Sequence, residues 1–138
     1  MSNTSSYPSS DRLQRERTER VAHLNDEVRR GNDPRARILF TRGVVDLLAE
    51  SETTETARHA RVAINQRLLM QQIVGAAIEP GDDPYGERDF GVVKFLDERI
   101  FWKIDSYAAD GTFSFGSDAP WDASATTRVL TILLPSEY

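Results

Sequence analysis

The sequence predicts an α+β fold, two main helices packed on a mostly antiparallel sheet of about four strands, and three observations carry that expectation. Two stretches of roughly twenty residues place apolar side chains at helical spacing, one from Asp11 to Arg30 and one opening at Ser51-Glu52-Thr53-Thr54 and running to about Ile78. Between Phe90 and Tyr107 apolar and polar residues alternate around a polar turn, the pattern of a hairpin. From Thr126 to Leu134 large apolar residues occupy both faces, as expected of a strand inside a sheet.

With 138 residues the chain suits a single core, read as one domain over residues 11–138 behind a flexible serine-rich tail at 1–10. A net charge of -5 and a pI near 5.0 disfavour broad affinity for nucleic acid, which depends on cations meeting phosphates. The absence of cysteine removes thiolate zinc sites, disulfides and a cysteine nucleophile, and the reading is cytoplasmic. No apolar run is long enough to span a bilayer, so no membrane association is expected.

In chain order, Leu13, Val21, Leu24 and Val28 form a narrow apolar stripe on the first helix, with Ser10 as its cap and Gly31 beyond its end. Its arginines are interleaved with Asp and Glu at pairing distance, which favours a solvated, ion-paired face over a nucleic-acid surface. Gly31-Asn32-Asp33-Pro34 turns the chain into a first strand at Arg37–Thr41, and Val44 to Ala49 suits a short buried helical turn. On the second long helix Ala60, Ile64, Leu68 and Ile73 share one side, expected to face the core. His23 and His59 lack a partner at ligand spacing and read as surface residues.

The hairpin pairs Phe95 with Ile100 whether its loop is Asp97-Glu98 or Leu96 to Arg99. That register puts Gly91, Val93 and Phe95 with Ile100, Trp102 and Ile104 on the core side, and sets Asp89 opposite Ser106, close to Asp105. The other face carries Phe90, Phe101, Lys103, Asp105 and Tyr107, so it is either covered within the domain or presented to a partner. Ala108 to Ala125 is a long loop with an exposed-looking Trp121, and the chain ends on Tyr138, an aromatic placed to dock.

The segment Asp83-Pro84-Tyr85-Gly86-Glu87-Arg88-Asp89 concentrates turn formers, carboxylates and an aromatic just before a strand, where binding groups usually sit. The candidate binding residues are Tyr85, Glu87, Arg88, Asp89, Lys103, Asp105, Tyr107 and Trp121. No catalytic or metal-ligating residue is assigned, and no pattern calls for a cofactor. Asp89-Phe90-Gly91 matches a kinase triplet without the other kinase signatures that give it meaning.

With the Asp83–Gly91 loop, the Phe101-Trp102-Lys103-Ile104-Asp105-Ser106-Tyr107 strand and the terminal Thr126–Tyr138 segment in view, the chain resembles a family of small bacterial proteins of unknown function over roughly residues 18–138. That resemblance implies a source mainly in Alphaproteobacteria, often beside plasmids and mobile elements. Members usually carry a histidine where this chain has Arg88, and often a glycine in the hairpin turn.

Two functions follow as expectations. The first is a non-catalytic binding or regulatory module that meets a protein partner through the 83–89 loop and the adjacent sheet face. The alternative is a metal-assisted hydrolase or phosphodiesterase-type enzyme using Asp83, Glu87, Asp89 and Asp105, a set that works only if these carboxylates converge.

Overall fold

The computed structural model describes residues 9–138 and consists of three helices on one face of a four-stranded mixed sheet. The tail expected at 1–10 falls outside the described residues up to position 8. Ser9 accepts a hydrogen bond from the Arg12 amide and so caps α1 (Ser10–Arg29), one residue earlier than the sequence suggested. Then follow β1 (Arg37–Phe40), the seven-residue α2 (Arg42–Leu48) and α3 (Glu55–Gly75), whose cap is the Thr54 hydroxyl. The hairpin is β2 (Phe90–Phe95) and β3 (Glu98–Ala108), and β4 (Thr126–Leu133) closes the chain before a 3-10 turn at Pro135–Glu137.

The sheet order is β1-β4-β3-β2. β4 is central, as its two apolar faces predict, running antiparallel to β3 and parallel to β1 with Arg37 against Val129 and Phe40 against Ile132. Its inner face joins Trp102, Ile100 and Ile104 of β3, Val93 and Phe95 of β2, and residues of all three helices in one core. Gly91 lies against the buried Trp102 indole, where a Cβ would stand 2.5 Å from the ring, so only glycine fits.

Three details correct the sequence reading. The hairpin register is displaced by two residues, with Phe95 opposite Glu98 and Asp89 facing Ile104 rather than Ser106. The turn is Leu96-Asp97, and both residues take positive φ (52° and 64°), the geometry whose twist matches that of the flanking strands. Because the shift is even, every side chain keeps its predicted face.

On α3 the buried line is Asn65, Leu69 and Ile73, while Ile64 and Leu68 are exposed, 54% and 45% respectively. The helix is rotated because Asn65 turns inward, its amide donating to the Leu48 carbonyl and to Glu50 at 2.9 Å each. That contact ties α3 to the end of α2, a polar requirement that an apolar-stripe argument does not register. Third, Trp121 is half-buried rather than exposed, since the Arg17 guanidinium of α1 stacks on its ring at 4.1 Å.

Candidate binding face

The predicted site residues fall into two groups, one with the 83–89 loop and one along the open face of β3, and Asp105 borders the hollows of both. The 83–89 loop packs on the helix side, against α1. There Arg88 grips Asp26 with both ends of its guanidinium, Nε at 3.0 and 3.1 Å and Nη2 at 2.7 Å. Its own backbone is left-handed, φ 52°, and is held there by the Arg88 amide donating to the Asp83 carboxylate at 2.9 Å. Asp26 also accepts from Arg29 at 3.0 Å, and Arg29 stacks over Trp102 at 4.8 Å. Burial alone would raise the Asp26 carboxyl, but the hydrogen bonds and charges of Arg88 and Arg29 outweigh it and hold the pKa below its ordinary value.

A second tie lies beside the first. Asn25 donates to the Glu87 carbonyl at 2.9 Å and accepts from Arg128 of β4 at 2.9 Å, and Arg128 also donates to the Pro120 carbonyl. Arg128 is 2% exposed, and desolvation pushes its pKa down. So the loop, α1, β4 and the 117–125 segment share one polar junction, and Glu87 and Arg88 are engaged in it. Tyr85 projects from this loop with 81% of its surface exposed.

Glu87, Asp89 and Asp105 line a cleft of about 280 Å³ with Asn25, Ser106 and Ser117. Burial raises the pKa of both Glu87 and Asp89, and the neighbouring carboxylates raise them further. Among the described residues, however, no group of three or more Asp, Glu or His side chains is arranged to hold a metal ion. The acidic residues adjoin one another without converging.

Lys103, Asp105 and Tyr107 lie on the other side, along the face of β3 that the helices leave open. They line a groove of about 530 Å³, a size and composition suited to a ligand or an inserted segment. Its floor is Val129, Thr131 and Leu133 of β4 with Leu39 of β1. At one end Phe113 folds over the sheet, edge-on to Tyr107 (5.7 Å) and beneath the Arg37 guanidinium (4.6 Å). At the other, Tyr138 closes a three-ring cluster with Phe90 and Phe101 at 5.8 and 5.9 Å. The terminal turn is pinned by Glu137, which accepts from the Thr41 hydroxyl at 2.6 Å, the Gly43 amide and the Leu134 amide. The Thr41 bond above all holds the Glu137 carboxyl below its ordinary pKa. Lys103 and Asp105 pair at 3.1 Å within the groove.

The two ends of this face are covered by aromatics of the same chain, and the groove lies between them. Arg37, Leu39, Thr131 and Phe113 were missed as lining residues because no local motif marks them. Only the parallel β1–β4 pairing and the fold-back of the 109–116 segment bring them there. That segment also extends the sheet edge, through the Ala108 amide to the Phe115 carbonyl and a bridge from Tyr107 to Gly116.

Among the described residues no helix is long and apolar enough to cross a membrane. Residues 18–137 match a family described as Protein of unknown function (DUF3768). Neither the curated proteins nor the solved structures searched contain a match to the chain.

Proposed function

The chain belongs to the DUF3768 family, proteins of unknown function, and from that premise we propose that it is a non-catalytic binding module whose partner is a protein seated in the open-face groove. The observation that carries this reading is the groove itself: a floor of strand residues, charged groups from Arg37, Lys103 and Asp105 beside it, and aromatic walls at both ends. A partner segment would lay an apolar side chain on Leu39 and Thr131 and meet Lys103, Asp105 and Tyr107 along the rim. Tyr85, Glu87, Arg88, Asp89 and Trp121 stand outside this groove; of them Tyr85 has the most exposed surface for a second contact.

The test is capture of a partner by the full chain, followed by mapping. A stoichiometric partner should be lost, by about tenfold or more in affinity, on Lys103→Ala plus Tyr107→Ala. Titrating labelled protein with that partner should shift the Val129, Thr131 and Leu133 resonances. Retention by the double variant, or shifts confined to the 83–89 loop, would refute the groove as the site.

A further inference from the structure

We propose that the free edge of β1 binds an extended, acidic segment of a partner protein by strand addition. This deepens the reading of the open-face groove, on which it rests, because Leu39 of β1 is part of the groove floor. The backbone makes the first argument. β1 is the edge strand, and the Thr41 amide donates to the Ile132 carbonyl of β4. In a parallel ladder alternate residues turn toward the partner strand, so Arg37 and Leu39 share that direction while the amides and carbonyls of Ile38 and Phe40 face outward. An edge of this kind is a template for another strand.

Side chains make the second. The edge lies between two apolar surfaces, with Leu39 (51% exposed) bordering the groove on the open face. Ile38 (42% exposed) borders a hollow on the helix face with Met70 and Val74 of α3. A strand added at β1 would therefore bury side chains of both parities, which an isolated edge does not offer.

Charge chooses the occupant. Arg37 on the open face, Arg42 at the strand's end and Arg67 in the helix-side hollow form no ion pair with any described residue. Three unpaired guanidinium groups around a four-residue edge favour carboxylates on the incoming strand. A second copy of the chain would instead bring these arginines against their own equivalents.

The probe is a blocked nonapeptide of alternating Glu and Val, compared with its alternating Lys and Val counterpart and with a Glu-Val peptide N-methylated at every second residue. Binding is followed by titration and by amide exchange on the full chain. The Glu-Val peptide should slow exchange at the Ile38 and Phe40 amides by about tenfold and bind about tenfold tighter than the Lys form, with no such protection from the methylated peptide. Arg42→Glu plus Arg67→Glu should remove that preference while leaving the fold intact, since both side chains are solvent-facing. No protection, equal binding of the Lys peptide, or protection that grows with protein concentration alone would overturn the proposal, the last by making a second copy the occupant. If the peptide fails while Lys103→Ala plus Tyr107→Ala still releases a captured partner, the groove reading stands and strand addition falls.

Discussion

Replacing Asp26 should be among the most damaging single changes to this fold, although the residue lines neither the groove nor the cleft described above. Asp26→Asn keeps the shape and removes the charge between Arg29 and Arg88. The carboxylate side chain is 11% exposed, Arg29 10% and Arg88 36%. Breaking a fully buried pair costs about 3–5 kcal/mol, and the partial exposure of Arg88 moves the expectation to the lower end, about 3 kcal/mol. For a chain of this size that is a fall in Tm of roughly 10 °C. The coupling of Asp26 to Arg88 alone, from a double-mutant cycle with Arg88→Met, should be about 2 kcal/mol, the worth of a charge-assisted bidentate contact with one partner half in water. The assay is urea unfolding of the four proteins at pH 7, repeated at lower pH. The folded Asp26 pKa lies below 3.8, so its contribution is fully present above that value and is lost as pH falls through the folded pKa. Asp26→Asn should consequently flatten the acid limb of the stability curve. A coupling energy below about 0.5 kcal/mol, or an unchanged acid limb, would refute the claim that this pair fastens the loop to α1.

Other expectations are simpler to state. Gly91→Ala forces a methyl into the Trp102 indole and should destabilise by about 3 kcal/mol in thermal or urea unfolding, because the ring is 1% exposed and has nowhere to go. Asp89→Asn should stabilise the protein at pH 7. Burial raises the folded pKa of Asp89, so the wild-type penalty grows as pH rises through that value and vanishes below 3.8, and the advantage of the variant should narrow on acidification. Glu137→Ala removes the acceptor for Thr41 and Gly43 at the start of α2 and should cost about 1 kcal/mol, with Tyr138 loosened from Phe90 and Phe101 as read by tyrosine side-chain resonances.

What could be read in advance was whatever depends on local periodicity. The hairpin kept its faces through a two-residue slip, so Lys103, Asp105 and Tyr107 were correctly set side by side on one surface and Trp102 on the other. The centrality of β4 followed from its composition alone. What stayed hidden were partnerships across long sequence separations: Arg88 with Asp26, 62 residues apart, and Arg128 with Asn25, 103 apart. No spacing rule links such residues, so the sequence does not reveal that Glu87 and Arg88 also take part in the junction with α1. The α3 face was misjudged for a related reason. Two apolar lines were available on that helix, and a hydrogen bond from Asn65 decided between them.

The strand order β1-β4-β3-β2 has a consequence for how the molecule comes into being. The strand at the centre of the sheet is the last to leave the ribosome, and its parallel partner β1 precedes it by about ninety residues. Until Thr126–Leu133 emerges, β1 and the β2–β3 hairpin have no strand between them, and both present bare edges and apolar faces. Long-range pairing of this kind makes folding slow and all-or-none, since loop closure must precede any reward from contacts. Nascent chains stalled before residue 126 should therefore be protease-sensitive and prone to bind chaperones, with protection acquired in one step once β4 is free.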